Sequence, residues 1–205
     1  MQMESNDHIP KVKNFTRAER AFIFALDTLL QTKSFNDIHV TDLLKVSGFS
    51  KGAFYGRFDD KYDFARKIII HAGQIHSYYL SCHSRLLRQG FISNEPISTA
   101  NALEMFQFIY EYRGLYDMIL DQKLIANGLD LFMSDHESPI NAELRKSIPP
   151  DGFSDQFMRY FGFYSSILYV IIWRHLGYER ITPREMVQMV NQLEGKFADI
   201  FRSIG

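Results

Sequence analysis

The stretch TDLLKVSGFSKGAFYGRFDDKYDF, beginning at Thr41, gathers hydroxyls and cations around glycines: Thr41, Ser50, Lys51, Tyr55, Arg57 and Lys61 beside Gly48, Gly52 and Gly56. Hydroxyl and cationic side chains grip oxygen anions, and glycine lets a backbone come close to a large partner. The chemistry on offer is recognition of a polyanion. Bond-breaking chemistry has no comparable set. GFYSS is not a nucleophile elbow, because no strand precedes it and no glycine follows in register. Phosphate-cradling glycine loops are absent. His76 and His83 lie seven residues apart, with Cys82 adjacent and His71 five before His76. Zinc on helices prefers closer pairs and three or four convergent ligands, so these histidines are expected to be solvated or hydrogen-bonded. Asp130, Asp135 and Glu137 read as a solvated acidic surface. The expectation is no enzyme, no cofactor and no metal.

The elements that must carry the polyanion-binding residues are helical. Strand-like alternation persists nowhere, whereas helical spacing recurs along most of the 205 residues, which predicts an all-α fold of about nine helices. A first helix, about 17–32, opens on the capping-box pair Thr16 and Glu19 and sets Ala18, Phe22, Ala25, Leu26 and Leu29 along one face. A second, about 40–46, turns Val40, Leu43 and Leu44 inward. Gly48 then supplies a position able to take positive φ, and Ser50 is a good N-cap for a short third helix over 51–57. Gly52 and Gly56 each weaken that helix by roughly 1 kcal/mol relative to alanine, so its neighbours must hold it. A long fourth helix runs from the acidic pair Asp59 and Asp60 to about 88, bending at Gly73 if anywhere. RQGFISNEP is the clearest loop. A fifth helix follows Ser98 to about Arg113 and Gly114, a sixth and seventh occupy 115–147, and an eighth spans about 154–176. A ninth starts at Thr182, Pro183 and Glu185.

Charge is unevenly spread. Residues 8–58 carry eight Lys/Arg against four Asp/Glu in a chain whose formal net charge is −1, so a basic amino-terminal region sits on an otherwise acidic protein. Cys82 is the only cysteine, which excludes an intrachain disulfide framework. The opening MQMESNDHIPKVKN lacks the apolar core of a signal peptide, and a cytoplasmic protein is expected. The most apolar run, from Tyr160 to Trp173, would be about 21 Å long as a helix, short of a bilayer core of about 30 Å. Flanked by Arg159 and Arg174, it suits burial between protein surfaces rather than contact with a membrane.

Three helices with a tight glycine turn between short second and third members form a helix-turn-helix pattern, whose third helix enters the DNA major groove. At these residues the segment resembles the DNA-binding head of the TetR (tetracycline-repressor-like) family of bacterial transcriptional regulators. Gly48, Phe49, Ser50, Lys51, Gly52, Ala53, Phe54, Tyr55, Phe58 and Lys61 occupy the positions of that family's pattern in order. The resemblance covers residues 15–66. It implies that Lys51, Gly52 and Ala53 face base edges, and that Thr41, Ser50, Tyr55, Arg57 and Lys61 face phosphates. Phe54 and Phe58 should instead pack through Phe22 and Leu26. Three positions depart from the pattern. Ala53 replaces a common threonine and leaves a methyl for a thymine methyl, His39 stands where a threonine usually caps the second helix, and Arg57 stands where histidine is common.

The implied organisation is a flexible tail over 1–14, a DNA-binding head over 15–60 and a regulatory and dimerisation bundle over 61–205. One helix-turn-helix makes too few contacts for a specific site, so a homodimer reading a palindromic operator in double-stranded DNA is expected. The eighth helix is apolar nearly all round and the ninth carries Met186, Met189, Val190, Leu193, Phe197 and Ile200. Phe157, Phe161, Leu168, Ile171, Met189, Leu193 and Phe197 are the expected dimer contacts, the alternative being that the eighth helix is a central core helix. Tyr78, Tyr79, Phe106, Tyr110, Tyr116, Phe132, Tyr160 and Tyr164 form aromatic stripes that are either core or the lining of a pocket for a small-molecule inducer. The functional expectation is a repressor released by such an inducer. The alternative is a coactivator of the same shape acting through a protein partner, against which the presence of Lys51, Tyr55 and Lys61 argues.

Overall fold

The computed structural model describes residues 12–93, 99–134 and 155–204, with side chains over 12–79, 102–134, 164, 166–193 and 196. Among them are nine α-helices and no strand. These are α1 (Arg17–Leu30), α2 (Val40–Ser47), α3 (Lys51–Tyr55), α4 (Lys61–Ser93), α5 (Thr99–Glu111), α6 (Arg113–Leu120), α7 (Gly128–Met133), α8 (Asp155–Leu176) and α9 (Pro183–Ile204). A single 3-10 turn, Phe35–Asp37, precedes α2. None of the helices is long and apolar enough to cross a membrane, among the described residues.

Two compact units divide these helices. One holds residues 12–75 and 113–134, the other 76–93, 99–112 and 155–204. The head unit thus contains α1 to α3, the first turns of α4, and α6 and α7, which pack respectively on α1 and on each other.

Local chemistry sets the helix starts and stops. Thr16 Oγ1 accepts from the Glu19 N–H while the Glu19 carboxylate accepts from the Thr16 N–H at 2.7 Å, the reciprocal capping box. Thr182 and Glu185 repeat it at the start of α9. Asp60 Oδ1 accepts from the Tyr62 and Asp63 N–H groups, both at 2.8 Å, and so begins α4.

Close approach, rather than local propensity, explains two other glycines. Gly73 lies within the continuous helix α4, where a Cβ would overlap the Phe132 carbonyl at the end of α7. Gly114, expected at a break, is instead inside α6, where a Cβ would overlap the Asp27 carboxylate of α1.

The second unit is centred on Trp173, fully buried on α8. Its indole N–H donates to the Ile181 carbonyl at 2.9 Å, Tyr110 stacks on it at 5.8 Å, and Phe106 meets it edge-on. Against α5, α9 presents Met186, Val187 and Val190.

Candidate nucleic-acid interface

A five-residue helix cannot stand alone, because nucleation costs more than so few hydrogen bonds return. Packing holds α3 in place. Phe54 is completely buried, and its ring lies 5.3 Å from Phe22, 5.3 Å from Phe58 and 5.7 Å from Phe64. Phe22 on α1 is the hub, touching Phe49, Phe54, Phe58 and Phe64 edge-on or tilted. At about 1.5–3 kcal/mol per buried phenylalanine, this cluster outweighs the two helix-weakening glycines. Phe49 and Phe64 extend the packing expected of Phe54 and Phe58. Their period gave no sign of it, because they come from the turn and from α4.

The turn is built as its residues dictate. Gly48 ends α2 with φ +72°, a left-handed conformation natural to glycine, and its N–H donates to the Leu44 carbonyl at 3.0 Å. Ser50 Oγ accepts from the Ala53 N–H at 3.2 Å and caps α3. At the start of α2, where His39 stands in place of the usual threonine, the reciprocal half of a capping box comes from within the helix. The Asp42 carboxylate accepts from the His39 N–H at 2.9 Å and pairs with Lys33 at 3.2 Å. Both interactions hold its carboxyl below the usual carboxylate range, the backbone hydrogen bond first.

Opposite the phenylalanine cluster, Lys51, Gly52, Tyr55 and Arg57 are exposed and Ala53 is half-buried. Lys51 Nζ sits 5.6 Å from the Tyr55 ring centroid, one helical turn on, which draws the cation and the ring together. Arg57 Nη1 donates to the Ala53 carbonyl at 3.0 Å, closing the last turn of α3 and using one of its five N–H donors. Thr41 and Ser50 are exposed at the amino ends of α2 and α3. At Gly52 a Cβ would meet nothing of the chain nearer than Ser50 Oγ at 3.9 Å, so the protein's own packing does not ask for glycine. Gly56 is different. A Cβ there would come within 2.9 Å of the Gly52 carbonyl, which accounts for a glycine that sequence reasoning could not explain.

Lys61 departs from the phosphate-facing expectation. Its ammonium donates to the carbonyls of Phe35, Asn36 and Ile38 at 2.9, 2.7 and 2.8 Å, which uses all three of its N–H groups. A cation that sequence reasoning missed lies nearby. Lys67 donates to the Arg57 carbonyl at 3.0 Å and pairs with Asp63 at 2.8 Å, which keeps the Asp63 carboxyl below its ordinary range. With Glu19, Arg57, Phe58, Ile68 and His71 it lines an open cleft of about 370 Å³. His71 Nε2 is 2.7 Å from the Lys13 carbonyl.

The remaining expected site residues fall in both units. Tyr116 and Phe132 are buried against one another in the head unit, at 5.6 Å between rings. In the second unit Phe106 is buried, while Tyr78, Tyr79 and Tyr110 are half-buried. Tyr110 donates to Glu179 at 2.9 Å. Tyr164, Leu168 and Ile171 are 55%, 53% and 46% exposed along one side of α8, and Leu193 on α9 is 41% exposed. Met189 is half-buried. The side chains of Phe157, Tyr160, Phe161, Phe197, Cys82 and His83 lie outside the described residues. His76 is buried and its Nε2 is 2.8 Å from Ser166 Oγ, a hydrogen-bonded core histidine.

No protein-family model matches the sequence, and no curated protein matches it. Among solved structures, one from Syntrophomonas wolfei str. Goettingen, assigned to the TetR family of transcriptional regulators, is similar with a TM-score of 0.51. The match covers 89% of this chain and 94% of that one at 14% identity, a likeness of fold. With its capped α2, left-handed glycine turn and phenylalanine-anchored α3, the chain has the all-α TetR-like fold.

Proposed function

We propose that this protein is a dimeric, sequence-specific DNA-binding transcriptional regulator, acting in the cytoplasm as a repressor that a small molecule releases. The observation that carries the reading is the two-sided character of α3. Phe54 and Phe58 are buried beneath it, while Lys51, Gly52 and Tyr55 stand exposed on the other side with open space above Gly52. In this reading Lys51, Gly52 and Ala53 approach base edges, and Thr41, Ser50, Tyr55 and Arg57 hold phosphates. Residues 15–60 are the reading head and the remainder supports regulation and dimerisation. The exposed apolar side of α8, with Leu193, is the surface a second copy would cover, which makes the operator palindromic. Aromatic residues of the second unit, Tyr78, Tyr110 and Tyr164 among them, offer rings and hydroxyls to an apolar inducer with a few polar groups.

Selection of bound duplexes from a random library tests this directly. Enrichment of a palindrome is the expected outcome, with affinity that falls steeply as salt rises. Recovery of no enriched sequence would overturn the DNA reading and favour action through a protein partner.

A further inference from the structure

We infer that Lys61 is a positioning residue of the DNA-reading head rather than one of its phosphate ligands. This rests on the DNA-binding reading above and assigns a different task to one of its cations. An ammonium has three N–H donors and no acceptor, arranged as a pyramid. Around Lys61 Nζ three carbonyl oxygens, of Phe35, Asn36 and Ile38, stand at 2.9, 2.7 and 2.8 Å. The rings of Phe35 and Tyr62 flank the same ammonium, with centroids at 5.2 and 5.1 Å. Charge-assisted bonds of this length are the strong kind, and the two ring faces add a further attraction for the cation. The side chain is half-buried, so solvent competes with these partners less than at an open surface.

The place of the three carbonyls gives the contact its consequence. They belong to the 3-10 turn Phe35–Asp37 and to Ile38, the residue just before the His39 cap of α2. Within that turn only short-range bonds are made, such as Ile38 N–H to the Phe35 carbonyl at 3.3 Å, so its carbonyls need donors from elsewhere. Lys61, the first residue of α4, supplies them across 23 to 26 positions of sequence. It ties the start of α4 to the entry of α2, while Asp42 ties the His39 N–H and Lys33 to the same entry from the other side. The direction of α2 then sets the Gly48 turn and the presentation of α3. A phosphate could take the ammonium only by displacing one of these carbonyls.

Lys61→Met and Lys61→Arg separate the two roles, measured against the palindromic duplex recovered by the library selection, over a range of salt and at a temperature where circular dichroism shows each variant folded. Methionine keeps the stem and removes the donors; arginine keeps the charge but its planar fork cannot satisfy a pyramid of three carbonyls. Both variants are expected to bind roughly tenfold or more weakly at every salt concentration, with salt slopes parallel to that of the unaltered protein. The Ile38 amide is expected to exchange with solvent faster in both. A phosphate ligand would behave otherwise: methionine would lower the slope by about one per subunit and arginine would restore binding. Either result overturns the inference, as does unchanged affinity in folded variants. Failure of the unaltered protein to select any duplex would overturn the DNA reading itself, and that outcome is visible before either variant is made.

Discussion

Replacing Gly52 by alanine should move stability and DNA affinity in opposite directions. Gly52 is in the first turns of α3 with a backbone that any residue adopts, and a Cβ there would find only Ser50 Oγ, at 3.9 Å. Alanine therefore restricts the unfolded chain and favours the helix without a clash, a gain of about 0.4–1 kcal/mol. For a chain of this size that raises the melting temperature by about 1–4 °C. If α3 lies in the groove, the added methyl stands between backbone and base edges in each half-site. A loss of about 1 kcal/mol per half-site, the low end for a disturbed base contact, sums to about 2 kcal/mol in a dimer, roughly thirtyfold in affinity. Thermal unfolding and fluorescence anisotropy with the selected duplex measure the two effects on the same sample. Higher stability with undiminished affinity would refute the placement of Gly52 against DNA. Lower stability would refute the reading of the α3 backbone. Gly56→Ala is the internal control, since its Cβ would press to 2.9 Å from the Gly52 carbonyl and should destabilise.

Three further outcomes follow from other contacts. Ile171→Glu, placed where α8 exposes an apolar edge, should convert a dimer to monomer in light scattering while leaving the helical circular dichroism intact, and an unchanged mass would remove α8 from the dimer surface. Gly73→Ala should destabilise the head by about 2 kcal/mol or more in denaturant unfolding, because a Cβ would overlap the Phe132 carbonyl and force α4 and α7 apart; an unaffected midpoint would show that this contact yields cheaply. Burial pushes the His76 imidazole down to about 4 from an ordinary 6.5, so the unfolded chain takes up the proton first. The stability tied to neutral His76 is present above pH 6.5 and drains as pH falls towards 4, by up to about 3 kcal/mol. In His76→Gln that slope between pH 6.5 and 4 should flatten, and an unchanged slope would assign the acid sensitivity elsewhere.

How much of this molecule can be read along the chain depends on the range of each interaction. The capping boxes at Thr16–Glu19 and Thr182–Glu185, the left-handed Gly48 and the Ser50 cap all act within four residues. Their side chains meet their partners in any chain that forms the turn, so spacing suffices to find them. Helical periodicity likewise identifies Phe22, Ala25 and Leu43 as inward-facing. The residues around α3 expected to meet a polyanion lie close together for the same reason, running from the Ser50 cap through the five residues of α3 to Arg57.

What only the tertiary structure decided lies at long range. Lys61 and Lys51 are alike in the sequence, both cations at a helix start, yet one ammonium is enclosed by three carbonyls and the other stands exposed. Gly73 and Gly114 are glycines because of backbone or side chains that come close only on folding, from across the chain. Trp173 could have been an interface residue by its pattern, but Phe106, Tyr110 and Ile181 enclose it. Composition and spacing determine which faces are apolar and where helices begin and end, because those are properties of a few neighbouring residues. Which apolar face meets which, and which cation is left for a partner, depends on distances between segments that the chain acquires only when it is folded.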